Sequence, residues 1–397
     1  MKKLSLSLLA VLMLSSFAAC NKGEADKKAD TGDAAPVTEA VAGTKMDCSA
    51  VTADSLKAKV ADPKNITKDE YVAVLEGLAC CSVNEKTFAI DKKECAVNAA
   101  LDALKKDGAK LPSLDSVADR LVKNESPLVR GKAYSAFSGL FGASDKDLSI
   151  AKDAIKTEKD PYALQELVAG LSNEGNKDPD VAKFLLDMSK HENSFVRRKA
   201  AIALGNTWSN KVEGAVDAVI TLMSDDDENV AKLACSGAGK LNDEKVIEPI
   251  VKILNDESKE KLHGECVRGL ATMWLDYPTH KNHNEAAYKA TMDYLKKTPR
   301  TNKIPAWNAI ASFNTVAEKE IGNWKSAATW FKIDDFSAVM SDLIKDKDFN
   351  WLGKSPAMKA VSALGGKAAL EKLAPAVEAS GDDKVKDAYA KELEKAK

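Results

Sequence analysis

Seven cysteines and four histidines are the side chains of this sequence best suited to bind a metal or form cross-links. Six of the cysteines are Cys48, Cys80, Cys81, Cys95, Cys235 and Cys266; the seventh, Cys20, ends an apolar N-terminal stretch. Four crowd into residues 48–95, around "GLACCSV". A four-thiolate metal site usually shows paired C-x-x-C elements, and none is present, so disulfides are the expected chemistry. Adjacent cysteines rarely bridge each other because the ring is strained. Cys48 and Cys95 are therefore expected to pair with Cys80 and Cys81, in either order. For Cys235 and Cys266 two readings stand, a bridge and a pair of buried small apolar residues. His280 and His283, in "HKNHNE", could chelate a metal with Glu285 as a third ligand. The stretch follows "YP", reads as loop, and has no flanking acid or Cys pattern to complete a site. They are weak candidates, and no metal or other cofactor is expected.

Catalytic signatures are missing. There is no G-x-S-x-G, no P-loop, no G-x-G-x-x-G and no H-E-x-x-H. "GKSP" at 353–356 shares letters with phosphate loops but lacks the glycine five residues earlier and the strand before it. The carboxylates sit in helix caps and on solvated faces. No enzyme is expected.

The N-terminus has its own logic. "MKK" is a short basic region, and "LSLSLLAVLMLSSFAA" follows without a charge. That run is too short and too close to the terminus for a stable membrane span, so it reads as a secretory leader, residues 1–19. "FAAC" resembles the bacterial lipobox, in which the leader is cut before a Cys that carries diacylglycerol. The resemblance covers residues 1–20 and departs at Phe17, where the family usually has Leu. It implies lipidation at Cys20 and a lipid-anchored protein of the bacterial cell envelope. Asn21 stands where an Asp often marks inner-membrane retention, which points to the outer membrane. Residues 20–45 then read as the lipidated Cys and a flexible, disordered tether: polar, small and without an aromatic. Such a tether reaches roughly 25–30 Å.

An exported chain with six remaining cysteines suits disulfides. Formal net charge is −2, and loss of Lys2 and Lys3 with the leader makes it −4. Arginine is sparse: Arg120, Arg130, Arg197, Arg198, Arg268 and Arg300. A nucleic-acid reader usually shows a basic excess with arginine at its contacts, so that class is set aside.

What positions these residues is a repeat. In "SFVRRKAAIALG", Val196 is followed at +4, +7 and +8 by Ala200, Ala203 and Leu204. The same spacing recurs from Val129, Ala163, Val230 and Leu262, so the period is 32–34 residues. Positions i, i+4, i+7 and i+8 share one face of an α-helix. The +4 and +7 places are mostly small, which lets a neighbouring helix approach closely. An acidic or polar turn precedes each such helix, suited to cap it. Before each turn lies a second amphipathic segment, such as "DVAKFLLDMS" or "KVIEPIVKIL". Each unit is helix, tight turn, helix, and only a stack of units can bury the apolar stripes.

The pattern resembles the HEAT repeat family, related to armadillo repeats, most clearly over 116–275. The resemblance implies an all-α fold, an α-solenoid of stacked helix pairs, and a surface for a protein or peptide partner. The family often links repeats by an Arg after the anchor and an Asp in a turn. Arg130 and Arg197 match that Arg, while Leu164, Ala231 and His263 do not, which implies a partial ladder.

The domain reading follows: a disulfide-stapled helical cap at 46–110, regular repeats at 111–275, and irregular, aromatic-rich repeats with a C-terminal cap at 276–397. "SPAMKAVSALGG" is expected to restore the register with Pro356, Ala360, Ala363 and Leu364. Four of the six tryptophans lie in the insert: Trp307, Trp324, Trp330 and Trp351. With Phe331 they either fill a thicker core or line a recognition surface. Two functions stand. One is a membrane-anchored envelope scaffold that binds a protein or peptide. The other is an envelope binding protein for a small molecule or metal, using the insert at 276–351.

Overall fold

The computed structural model describes residues 46–137, 145–175, 178–275, 283–297, 321–349 and 351–396. The leader, Cys20 and the tether, together with His280 and Trp307, lie outside the described residues.

The fold is an α-solenoid. The cap opens with α1 (Ala53–Lys57), α2 (Lys68–Leu75) and α3 (Ala96–Lys106). Thr52 and Thr67 start α1 and α2 with reciprocal capping boxes, to Ser55 and Glu70. The segment "KDEYVAVLEGLACC" is not one helix to its end. The α-helix stops at Leu75, and a 3₁₀ turn, Glu76–Cys80, carries the first of the paired cysteines. Between α2 and α3 lies a two-stranded hairpin, β1 (Val83–Asn84) and β2 (Ala89–Ile90), antiparallel with Val83 opposite Ile90.

Five helix pairs follow. Their first helices are α4 (Ala118–Leu121), α6 (Asp145–Thr157), α8 (Pro179–Met188), α10 (Ala215–Leu222) and α12 (Ile247–Leu254). Their second helices are α5 (Pro127–Tyr134), α7 (Pro161–Gly170), α9 (Ser194–Leu204), α11 (Glu228–Leu241) and α13 (Glu260–Leu275). Turn acids and amides start them as the sequence requires. Asp160, Asn193 and Asp227 accept hydrogen bonds from the first free amides of α7, α9 and α11. Pro127, Pro161 and Pro179 occupy first-turn positions, where no amide hydrogen is needed.

The expected stripe is the core. All five anchors, all five +4 residues and all five +8 residues are buried. The second helices pack on one another in sequence, α5 on α7, α7 on α9, α9 on α11 and α11 on α13, while α4, α8, α10 and α12 pack on their own partners and α6 packs on α8. The second helices therefore form the tighter, inner layer. Small +7 residues make that approach possible: a Cβ placed on Gly237 of α11 would stand 2.7 Å from the Cα of Gly205, at the end of α9.

Beyond α13 come α14 (Glu285–Lys297), α15 (Ile321–Ala327), α16 (Ile333–Lys345), α17 (Trp351–Glu371), α18 (Ala374–Ser380) and α19 (Asp383–Lys395). In α17 the register differs from the expected one. Ala360 and Leu364 are buried as expected, but so are Gly353, Ala357 and Val361, whereas Ala363 is exposed and Pro356 is half-buried. The buried face starts three residues earlier, at Gly353, where α17 packs on α16, whose Phe336, Met340 and Leu343 are buried. The helix is interrupted at Gly366, whose φ of +72° and ψ of −170° leave the helical region.

Candidate partner-binding surface

The sites expected from sequence divide into staples, a core and one exposed face. Disulfides join Cys48 to Cys80 and Cys81 to Cys95, with Cα separations of 5.3 and 4.8 Å. This is one of the two arrangements left open for the four clustered cysteines. Cys235 of α11 and Cys266 of α13 are also bridged, Cα to Cα 4.5 Å, across adjacent second helices.

The aromatic insert is largely interior. Trp324 is buried, its ring 4.8 Å from Phe331 and 6.2 Å from Trp274, and its Nε1 donates to the Trp274 carbonyl at 2.8 Å. Trp330 and Phe331 are half-buried, and Trp330 Nε1 donates to the His283 carbonyl. Only Trp351 among the described candidates is well exposed, with Lys384 Nζ 5.8 Å from its ring centre. These aromatics mainly knit α13, α14, α15 and α16 together, so Trp324 belongs to the core and not to a recognition surface. His283 meets Trp324 edge-on, ring centres 5.9 Å apart, and burial lowers its pKa, favouring the neutral ring. Among the described residues no three His, Cys, Asp or Glu side chains are grouped to hold a metal ion.

The repeat seams carry a charged ladder. Arg130 donates from Nε and Nη2 to Glu158 at 2.7 and 2.9 Å, and from Nη1 to the carbonyls of Asn124 and Glu125. Arg197 does the same with Asp225 and with the carbonyls of His191 and Glu192. At the equivalent place in the last regular repeat stands His263. Its Nε2 lies 3.0 and 3.1 Å from the carbonyls of Ile253 and Asp256, so Nε2 carries the hydrogen and Nδ1 accepts from the Tyr294 hydroxyl. The imidazole replaces the part of the arginine that ties down the preceding turn.

On the layer of second helices, next to these seams, lies a partly exposed face. The residue before the anchor is Leu128, Tyr162 and Phe195 in three consecutive repeats, then Asn229 and Lys261. Phe195 is half-buried at the start of α9. The Arg198 guanidinium lies 4.3 Å from its ring centre and is held there by Asp227, at 3.1 and 2.7 Å. That pairing depresses the Asp227 pKa to about 2. One turn further along α9, Ile202 is 48% exposed, one of the few large apolar side chains turned to solvent. Sequence reasoning took the stretch "SFVRRKAAIALG" as a repeat face and overlooked its outward side. The run of apolar residues before three successive anchors was the signal that could have disclosed it.

Comparison with known proteins agrees with this architecture. Residues 182–271, from α8 into α13, match the family model of HEAT repeats. Over that stretch the chain is similar to HEAT repeats. Repeats of this kind commonly serve as protein-interaction scaffolds. No curated protein matches the chain significantly. Among solved structures, YibA of Escherichia coli is 12% identical, over 86% of this chain and 95% of that one, with a TM-score of 0.39. An engineered protein is 16% identical, over 72% of this chain and 96% of that one, with a TM-score of 0.27.

Proposed function

We propose that the protein is a lipid-anchored scaffold of the bacterial cell envelope, without catalytic activity, that holds a protein or peptide partner on the inner layer of its repeats. Three features support this. The lipobox-like "FAAC" and the polar tether would place a folded body a short distance from a membrane surface. The disulfides suit an oxidising compartment. The observation that carries the binding site is the face of α7 and α9, where the half-buried Phe195 and Arg198 and the exposed Ile202, beside the buried Tyr162, combine aromatic, cationic and apolar surface. That composition is typical of interface centres.

A photo-crosslinking amino acid at Ile202, introduced into the full chain in its native host, tests the site. A discrete protein adduct from position 202, absent when the same group replaces Lys183 on α8, is the expected result. Equal labelling from both positions, or none from 202, overturns the proposal. The anchor is tested separately. Cys20→Ser should leave the protein unprocessed or release it from membranes, and unchanged membrane fractionation of a processed Cys20→Ser protein overturns the lipidation.

A further inference from the structure

The face just described already has an occupant. The tip of the β1–β2 hairpin reaches from the N-terminal cap onto the second helices of two repeats. Phe88 stacks on Phe195 with ring centres 4.8 Å apart and planes 18° from parallel, and lies 6.2 Å from Tyr162. The Phe88 carbonyl accepts a 2.6 Å hydrogen bond from Gln165 Nε2, a side chain that is only 4% exposed. Phe195 is thus covered by Arg198 and by Phe88.

Three observations mark this as a held contact and not incidental packing. First, Phe88 has φ of +50°, in the left-handed region where a Gly or Asn is usual and an aromatic residue is strained. The loop before it is built normally, with Asn84 Oδ1 accepting from the amides of Lys86 and Thr87 and Asn84 O accepting from the amide of Phe88. The unfavourable conformation sits on the residue whose ring and carbonyl meet the repeats. Second, Gln165 is buried and hydrogen-bonds the carbonyl of a chain segment 77 residues away in sequence. Third, the Cys81–Cys95 disulfide closes the hairpin at its base and fixes the direction in which its tip points.

We infer that the hairpin tip is a built-in stand-in for the partner: the Tyr162–Gln165–Phe195–Arg198 face recognises an aromatic side chain on a turn of peptide, together with that residue's own carbonyl, and Phe88 must leave before such a peptide can enter. The inference rests on the scaffold reading and names the chemistry of its partner. The aromatic ring of the ligand takes the stacked place on Phe195, and Gln165 supplies the hydrogen bond that would otherwise be left unmade in a buried site. Because the occupant is tethered, its effective concentration is on the order of millimolar. A tethered rival whose effective concentration exceeds its own dissociation constant about tenfold weakens a competing peptide by roughly tenfold.

The chain supplies its own probe. A peptide of residues 81–95, "CSVNEKTFAIDKKEC", closed by its terminal cysteines and labelled with a fluorophore, is titrated against the full mature protein in detergent. The expected result is binding to Phe88→Ala protein at least tenfold tighter than to wild type, and loss of that binding in the Phe88→Ala, Phe195→Ala double variant. Equal affinity for wild type and Phe88→Ala, binding that survives Phe195→Ala, or no binding to any form overturns the inference. Hydrogen exchange gives a second reading on protein of native sequence. The Thr87–Asp91 amides should exchange at least tenfold faster in Phe195→Ala than in wild type, with other segments unchanged; no difference overturns it. The crosslinking at Ile202 separates the two readings. An adduct of equal yield in wild type and Phe88→Ala leaves the scaffold standing and removes the stand-in. Peptide binding without any cellular adduct does the reverse.

Discussion

Arg197 and Asp225 meet across a repeat boundary in a two-point ion pair, Nε to Oδ2 at 2.7 Å and Nη2 to Oδ1 at 2.9 Å. The third donor nitrogen of the same guanidinium ties down the carbonyls of the turn before its own helix. One side chain thus joins a turn, a helix and the next repeat. A lysine can reach one of these partners but cannot form the fork. Arg197→Lys should therefore destabilise by about 1–3 kcal/mol, and Arg197→Ala by about 3–5, since the latter leaves Asp225 buried without its partner. Urea unfolding measures both. A lysine variant within experimental error of wild type would show that the fork carries no weight.

The homologous pair in the first repeat gives a pH signature. Burial alone would raise the Glu158 carboxyl, but the Arg130 fork, the Asp160 amide and the Tyr134 hydroxyl outweigh it and hold the group at about 2, against an ordinary value of 4.5. A depressed folded-state pKa stabilises fully above the unfolded value and is lost as pH falls toward the folded one. The melting temperature should hence fall as pH is lowered from about 4.5 to about 2. Glu158→Gln should melt lower at neutral pH and show a shallower fall in that window. Asp227, also at about 2 through Arg198, titrates in the same direction and supplies part of the slope that remains. Parallel curves for wild type and Glu158→Gln would remove Glu158 from the account.

The stacked second helices were legible because their signal is local and periodic. Val196, Ala200, Ala203 and Leu204 are fixed by helix geometry wherever the helix lies. The ladder was half legible: Arg130 and Arg197 could be matched to a position, but Glu158 as an acceptor and His263 as a substitute depend on how turns of neighbouring repeats meet. In α17 the sequence suggested a face beginning at Pro356, and the buried face begins at Gly353, where the helix meets α16. The contact of Phe88 with Phe195 spans the cap and the third regular repeat. No periodicity reaches across that distance, and the ring alone reads as an ordinary hairpin residue. The insert's aromatics were left open between core and surface, with the core favoured, because composition does not say which way a side chain points; Trp324 and Trp330 turn inward to donate to the backbone at Trp274 and His283.

Gly237 separates close packing from helix propensity. In an exposed helix interior, Gly→Ala is favourable by roughly 1 kcal/mol. At Gly237 the added methyl would meet the Cα of Gly205 at 2.7 Å, and that atom belongs to backbone. Relief requires α9 and α11 to move apart. The expected outcome for Gly237→Ala is a loss of about 1–3 kcal/mol, the usual cost of overpacking a core. A stabilised variant would mean that the two helices slide freely at this seam.

The Cys235–Cys266 bridge crosses the next seam, between α11 and α13. Both residues are fully buried and flanked by the small residues that bring these helices together, so the cross-link and the packing act on the same contact. With 31 residues between its ends, the bridge should stabilise by about 3–4 kcal/mol in the chain-entropy account. Ala occupies the +4 place, that of Cys266, in three other repeats and the +5 place, that of Cys235, in α9, so Cys235→Ala, Cys266→Ala removes the bridge while leaving side chains such seams accommodate. The double variant should unfold at lower urea concentration under non-reducing conditions, with the two N-terminal disulfides intact. Its m-value should rise, because the unfolded chain is no longer looped. Thiol labelling of unfolded, unreduced wild-type protein supplies the independent check. Peptides containing Cys235 and Cys266 should carry no label, and labelled thiols in both would show that the seam is held by packing alone.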